Sequence, residues 1–181
     1  MTFIAGANGS GKTTLTRWNP ELFKKIPLLD PDAIANTLQS KTSARFPVAA
    51  ARHALDASRK HLDNAESFAI ETTLAGKTYL RMMLAARKRG FEIVLIYIGT
   101  EDVEINLTRI RNRVLAGGHD VPEEDVRRRY KRSFANLPIA IIRAHHAILF
   151  DNSADEGYRL IVVLSATENQ WFEPKPSWIT F

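Results

Sequence analysis

Short apolar segments alternate along the chain with longer segments of helical periodicity. The apolar segments predict strands at 2–5, 26–29, 68–70, 91–98, 147–150 and 160–164. The helical patterns predict helices after Lys12, after Pro31, at 47–66 and 76–89, after Glu101, and at 122–136 and 138–146. This alternation is typical of an α/β fold with a mainly parallel sheet, here of five or six strands, flanked by helices.

No repeat, low-complexity tract or Gly/Ser linker divides the chain, so we expect one domain over residues 1–181. The tail over 167–181 holds Pro174 and Pro176, which oppose a helix there. We expect an extended tail, which either packs over a neighbouring surface or is irregular.

Composition narrows the classes of function. Of the 181 residues, 45% are hydrophobic, which is enough for one sizeable core. The chain has no apolar run of membrane-spanning length and no basic signal-peptide region, so we expect a soluble cytoplasmic protein. The absence of cysteine excludes disulfides, thiolate metal sites and thiol nucleophiles. The net charge of +5 favours an anionic partner such as a nucleotide, a nucleic acid or a phosphorylated metabolite.

The segment between the first predicted strand and the next helix matches Gly-x4-Gly-Lys-[Ser/Thr], a phosphate-binding loop. Glycines let backbone N–H groups surround a phosphate. Lys12 would reach the β- and γ-phosphates of ATP, and the Thr13 hydroxyl would ligate Mg²⁺. The residues predicted to bind the nucleotide are Gly6, Ala7, Asn8, Gly9, Ser10, Gly11, Lys12, Thr13, Thr14 and Arg113.

A compact chain without the Asn-Lys-x-Asp motif of GTPases is best explained as a kinase acting on a small acceptor. Such an enzyme needs a carboxylate near the acceptor hydroxyl and arginines near the transferred phosphate. Asp30 precedes Pro31 and is the natural N-cap of a helix, which leaves Asp32 as the candidate general base. The alternative for Asp32 is an acid that only complements the helix dipole.

Glu71 is predicted at the carboxyl end of a buried strand, where a charge needs a polar partner. We predict that Glu71 and Thr72 bind the acceptor at the crevice. A structural salt bridge from Glu71 to an arginine in 87–89 is the alternative.

Residues 113–136 are predicted to form a helical lid, with Gly117 and Gly118 as its hinge. The apolar positions Val126, Tyr130, Phe134 and Leu137 recur at spacings of 4, 4 and 3. Arg128 and Arg132 lie opposite this stripe, one turn apart, and are the predicted phosphate-gripping pair. A solvated arginine face is the alternative.

Four segments of the chain resemble the zeta toxin family. They are the loop at 6–14, the Leu-Asp-Pro-Asp segment, the Ile-Glu-Thr-Thr-Leu strand end and, above all, the Gly-Gly-His-Asp-Val-Pro-Glu-Glu-Asp-Val-Arg segment. They are most similar to its compact bacterial branch, over roughly residues 1–153. The resemblance implies a P-loop kinase fold, phosphorylation of the 3′-hydroxyl of the sugar in UDP-N-acetylglucosamine, and an antitoxin protein as partner.

The resemblance also implies roles for single residues. It places Lys12 and Thr13 at the phosphate and metal, and Asp32 at the catalytic base. Glu71 is the acid on the substrate side. Arg128 and Arg132 are the matches for the lid arginines that contact the transferred phosphate. His119 contacts phosphate or acceptor, or makes a structural hydrogen bond in the glycine turn.

Two other classes of function stay open at this point. A nucleic-acid-associated ATPase or polynucleotide kinase would use the basic residues of 127–132, but the aromatic residues near them, Tyr130 and Phe134, fall on the apolar stripe. We therefore rank nucleic acid below a small-molecule acceptor, and we expect no membrane partner. A regulator that binds ATP without turnover is the third class.

Overall fold

The computed structural model describes residues 1–31 and 46–181, with side chains in the second range described from residue 52 onward. Within these ranges seven strands form one sheet. They are β1 (Thr2–Ala5), β2 (Leu28–Leu29), β3 (Ala69–Thr72), β4 (Val94–Gly99), β5 (His146–Asp151), β6 (Arg159–Ser165) and β7 (Asn169–Trp171). Their spatial order is β2-β3-β1-β4-β5-β6-β7. The first five strands in this order run parallel to one another, β6 runs antiparallel to β5, and β7 runs antiparallel to β6.

The described helices are α1 (Lys12–Trp18), α2 (Phe46–Asp63), α3 (Lys77–Lys88), α4 (Val103–Leu115) and α5 (Glu123–Arg143), with a short 3-10 helix at Pro20–Phe23. The helix predicted after Pro31 lies outside the described residues. The two helices predicted at 122–136 and 138–146 are a single helix, α5, which includes Pro138. That prediction was wrong because both halves of α5 pack against the protein, which compensates for the hydrogen bond that proline removes.

The predicted α/β fold with a mainly parallel sheet is confirmed. The sheet has one strand more than the upper predicted number, because the tail contributes β7. Strand β1 lies between β3 and β4, so the carboxyl ends of these strands meet at one edge of the sheet. Ala5, Thr72 and Tyr97 lie side by side just before that edge. Ligands of parallel α/β sheets bind at this edge.

Alternate residues of the central strands enter two cores. On one face, Phe3 of β1 and Tyr97 of β4 join the main core with residues of α2, α3 and α5. On the other face, Ile96 and Ile98 pack with Leu15 of α1. A third small core joins α4 to the start of α5 through the side chains of Leu107, Ile110, Val121 and Val126. The predicted lid is therefore packed onto α4.

The end of the tail packs against the body of the protein. Trp178 and Ile179 are buried within the main core. Among the helices that the structure describes, we find none with the length and apolar character of a membrane span.

Candidate functional site

The glycine-rich loop joins β1 to α1 at the carboxyl edge of the sheet. Gly9 and Gly11 have φ of +77° and +105°, a region that favours glycine. A Cβ on Gly9 would lie 2.5 Å from the carbonyl oxygen of Asn106, and a Cβ on Gly11 would lie 2.5 Å from Nδ2 of Asn152. Both glycines are therefore required by the backbone conformation and by their close neighbours.

Three side chains from elsewhere in the chain donate hydrogen bonds to carbonyl oxygens of this loop. The pairs are Asn106 to Asn8 at 2.7 Å, Asn152 to Ser10 at 2.8 Å, and Tyr158 to Gly11 at 2.7 Å. These three donors hold the carbonyl groups of Asn8, Ser10 and Gly11 in place. Backbone N–H groups in a loop before a helix are a binding site for phosphate.

Lys12 is the first residue of α1, and its side chain folds back across the loop. Its Nζ donates to the carbonyl oxygens of Gly6 at 2.9 Å and Ala7 at 3.0 Å. Phosphate oxygens carry charge and accept stronger hydrogen bonds than neutral carbonyl groups. The position of Lys12 therefore fits the phosphate groups of a nucleotide.

Glu71 is buried in β3 beside the loop. Its Oε2 accepts a hydrogen bond from the Thr13 hydroxyl at 3.0 Å, and its Oε1 accepts one from the Thr16 hydroxyl at 3.0 Å. Burial raises the pKa of Glu71 above its usual value; the charge of Lys12 and the two hydroxyls oppose this effect, and the charge of Asp30 adds to it. Glu71 is thus a buried acid with defined polar partners.

The salt bridge from Glu71 to residues 87–89 is not formed. Arg87 donates to the carbonyl oxygens of Ile142 and Arg143 at the end of α5. Arg89 pairs with Asp63 at 3.0 Å. The Glu71 carboxylate instead accepts hydrogen bonds from Thr13 and Thr16 of α1.

The Thr13 hydroxyl and the Glu71 carboxylate are hard oxygen donors in direct contact. Mg²⁺ in nucleotide sites takes such ligands together with phosphate oxygens and water. The donor set therefore fits the predicted metal. Glu71 contacts Thr13, and its predicted role in binding the acceptor stays a prediction.

A cavity of about 640 Å³ lies over the loop, a volume suited to a small ligand such as a nucleotide. Of the predicted nucleotide-binding residues, Asn8, Gly9, Gly11, Lys12, Thr13, Thr14 and Arg113 line it. Gly6, Ala7 and Ser10 form the buried part of the loop. The predicted lid also reaches the cavity, through Gly118 and His119. Arg113 donates to the carbonyl oxygen of His119 at 2.6 Å, which ties the lid turn to α4.

The arginines of α5 make different contacts, and the role of Arg128 and Arg132 at the transferred phosphate stays a prediction. Arg128 pairs with Asp125, Arg132 is exposed, and none of Arg128, Arg129 and Arg132 lines the cavity. Arg129 instead donates to Oδ1 of Asn8 in the loop at 3.3 Å and to Oδ2 of Asp125 at 3.3 Å. Residues opposite a buried helix stripe face solvent, whereas Arg129 lies at the edge of the stripe and faces the loop.

The remaining predicted residues fall in different places. Thr72 is buried, and its Oγ1 accepts a hydrogen bond from the backbone N–H of Leu74 at 3.0 Å, which is a structural contact. Asp32 lies outside the described residues, so its assignment as the base stays a prediction. Asp30 lines the cavity.

The basic and aromatic residues that a nucleic-acid-binding protein would use are in contact with other residues of the protein. Arg127 pairs with Glu104 at 2.5 Å and with Glu123 at 2.6 Å. The rings of Tyr130 and Phe134 pack on each other with centroids 4.7 Å apart. Arg127 is thus paired at the surface with two acids, and the two rings pack against each other.

Sequence reasoning missed several residues at the cavity, namely Arg17, Trp18, Arg109, Asn152 and Tyr158. For two of them, the sequence contained a feature that could have predicted their place in the site. Arg109 lies one helical turn before Arg113 on α4, and Asn152 directly follows a parallel strand, the position that singled out Asp32. Tyr158 becomes part of the site through tertiary packing.

No protein-family model matches the chain. An uncharacterized protein of Haemophilus influenzae is 36% identical to it over 128 residues, which make up 71% of this chain and 90% of that protein.

Among solved structures, the AvrRxo1-ORF1:-ORF2 complex matches with a TM-score of 0.72 at 18% identity, over 94% of this chain and 60% of that chain. The present chain thus spans three fifths of the chain that it matches there. A crystal structure of the same complex with ATP matches with a TM-score of 0.70 at 16% identity. The PezAT chromosomal toxin-antitoxin system of Streptococcus pneumoniae matches with a TM-score of 0.62 at 19% identity, over 87% of this chain and 68% of that chain. The fold is that of P-loop kinases.

Proposed function

The chain belongs to the family of the uncharacterized Haemophilus influenzae protein, and we propose that it is a kinase that transfers the γ-phosphoryl group of ATP to a hydroxyl of a small molecule. One observation carries the proposal. Lys12 and Thr13 line a cavity large enough for a nucleotide, and the buried Glu71 accepts a hydrogen bond from the Thr13 hydroxyl. The P-loop kinase fold of the chain is consistent with this assignment.

The loop would hold the β- and γ-phosphates through its N–H groups and Lys12. Thr13 and Glu71 would hold Mg²⁺, which supplies charge neutralisation on the phosphate oxygens. Thr16, on the other oxygen of Glu71, would keep the carboxylate turned toward Thr13. Assigning Glu71 to the metal leaves acceptor binding to other residues.

The other walls of the cavity would take the nucleoside. Trp18 is 70% exposed at its edge and packs edge-on against Tyr158, with ring centroids 6.1 Å apart. Arg109 donates to the carbonyl oxygen of Asn152 at 2.7 Å on another part of the lining. Aromatic rings and guanidinium planes are suitable surfaces for a nucleobase.

In the transfer step, an oxygen of the acceptor forms a bond to the γ-phosphorus, and the bond from that phosphorus to the bridging oxygen of ADP breaks. The hydroxyl proton passes to a base, for which Asp32 is the candidate. Arg129 would stabilise the charge on the transferred group, because it is the α5 arginine that reaches the loop. The products are ADP and a phosphate monoester.

We propose a sugar nucleotide such as UDP-N-acetylglucosamine as acceptor and an antitoxin as a protein partner. The acceptor rests on the motifs shared with the zeta toxin family. The partner is supported by the fold shared with the PezAT toxin-antitoxin system. A two-chain complex also occurs in the AvrRxo1-ORF1:-ORF2 match.

A panel of hydroxyl acceptors tests this function. The wild type and Lys12→Met would be incubated with ATP, Mg²⁺ and UDP-amino sugars, free sugars or oligonucleotides, followed by mass spectrometry. We expect one sugar nucleotide to gain a single phosphoryl group with the wild type and none with Lys12→Met. Phosphorylation of oligonucleotides alone would show that the protein is a polynucleotide kinase instead. ATP binding without any phosphorylated product would favour a regulator that binds ATP without turnover.

A further inference from the structure

Trp178 lies in the C-terminal tail and outside the nucleotide cavity, yet only 7% of it is exposed. Its Nε1 donates to Oδ2 of Asp151 at 2.7 Å. Asp151 has no exposed side-chain surface and also accepts hydrogen bonds from Arg159 at 3.2 Å and from the hydroxyl of Ser153 at 3.0 Å. The indole is therefore held by a buried anion whose own partners are fixed.

The indole ring packs against both a strand and a helix. Its centroid lies 5.8 Å from that of Tyr97 in β4 and 5.5 Å from that of Phe134 in α5. The ring occupies the space beside Gly99, where a Cβ would lie 2.5 Å from it. The tail thus closes an aromatic cluster between the sheet and α5.

Side chains of α5 reach both this aromatic cluster and the phosphate-binding loop. The Tyr130 hydroxyl donates to the carbonyl oxygen of Thr100 at 2.6 Å, and its ring packs on Phe134. Arg129, the residue before Tyr130, reaches Oδ1 of Asn8 at 3.3 Å. Successive helix residues point about 100° apart, so the direction of Arg129 follows from that of Tyr130 and Phe134.

We propose that Trp178 is a positioning residue: it fixes the rotation of α5 and thereby the reach of Arg129 to the phosphate-binding loop. Trp178 does not line the nucleotide cavity and acts through Phe134. The inference rests on the proposed function, in which Arg129 contacts the phosphate groups of ATP.

A double-mutant cycle between Trp178→Ala and Arg129→Gln tests the inference, with ATP affinity measured by calorimetry. Each single variant should bind ATP about tenfold more weakly, because a displaced guanidinium loses its phosphate contact. The double variant should bind no more weakly than Arg129→Gln alone. Trp171→Phe, a change of a 44% exposed tryptophan in the same tail, is the matched control and should bind like the wild type.

Losses that multiply in the double variant would overturn the inference, because Trp178 would then act independently of Arg129. If Trp178→Ala does not fold, the same cycle is run with Trp178→Phe, which keeps a ring and loses the N–H to Asp151. A smaller loss that disappears in the Arg129→Gln background supports the inference.

Amide hydrogen exchange separates this inference from the kinase proposal. In Trp178→Phe, amides of 127–134 should exchange faster than in the wild type and in Trp171→Phe, with no nucleotide present. Equal exchange in all three proteins would overturn the positioning role. If the wild type binds ATP but phosphorylates no acceptor, the kinase proposal fails and the double-mutant cycle still tests the positioning role. If the wild type does not bind ATP, the exchange experiment alone tests that role.

Discussion

At the scale of single residues, the main feature of the site is a buried carboxylate, Glu71, that accepts hydrogen bonds from two hydroxyl groups. Glu71 is kept beside the loop by Thr13 and Thr16, which reduces the cost of burying its charge. Its place in a strand end was predictable from the sequence. Its partner was not, because the contact with Thr13 depends on which strands are adjacent in the sheet.

Arg129 provides a test of how α5 meets the nucleotide. We expect Arg129→Gln to lower kcat for phosphoryl transfer by about a hundredfold or more, because an arginine on the transferred group stabilises the transition state. Arg132→Gln, on the solvent face, is the control and should change kcat by less than about twofold. Steady-state assays with the identified acceptor measure both. An equal loss in Arg132→Gln would favour the assignment made from the sequence.

Asp151 gives a prediction about pH. Burial alone would raise the pKa of Asp151, but hydrogen bonds from Trp178, Ser153 and Arg159 hold it below the usual value. A carboxylate with a lowered pKa in the folded state stabilises the protein above the unfolded pKa, near 3.8, and this stabilisation is lost as the pH falls through the lower folded pKa.

Asp151→Asn should therefore lower the free energy of unfolding by about 2 kcal/mol at neutral pH. The difference from the wild type should hold down to about pH 5 and shrink below about pH 4. Urea unfolding across this range measures it. A difference that does not change with pH would show that the charge of Asp151 contributes nothing.

At the scale of elements, the apolar segments located the central strands, and the helical periodicity identified the buried stripe of α5. The stripe is borne out by Val126 and Leu137, which are buried. The pattern did not show which edge of the stripe faces the loop, and so it favoured Arg128 and Arg132 over Arg129. Helix α5 also continues through Pro138, because packing outweighs the local preference for a break.

The contact between β4 and the tail can be tested at Gly99. Gly99→Ala should cost about 2–3 kcal/mol of stability and displace the tail, because the new methyl group overlaps the indole of Trp178. Gly76→Ala is the control: its Cβ would meet no atom within 4 Å, so the cost should stay below about 1 kcal/mol. Thermal unfolding and tryptophan emission report both effects. Unchanged emission in Gly99→Ala would contradict the packing described for the tail.

At the scale of the whole molecule, the carboxyl edge of the parallel strands gathers the loop, Glu71 and Asn152, although they are distant in sequence. The phosphate-binding loop was predictable because its chemistry requires a local glycine pattern. Strand β7 was not, because its three residues are exposed, two of them are polar, and its pairing with β6 is decided by the fold. The packing of Trp178 has no local signature either, because its partners Tyr97, Phe134 and Asp151 are distant in sequence.

The fate of the γ-phosphoryl group tests the central claim most directly. ATP labelled with ¹⁸O on the γ-phosphate would be incubated with Mg²⁺, UDP-N-acetylglucosamine and the wild type or Lys12→Met, and the products analysed by mass spectrometry. The account predicts that the wild type places the label in a phosphate monoester of the sugar nucleotide, and that Lys12→Met does not. Label found only in inorganic phosphate, or a labelled ester formed equally well by Lys12→Met, would contradict it.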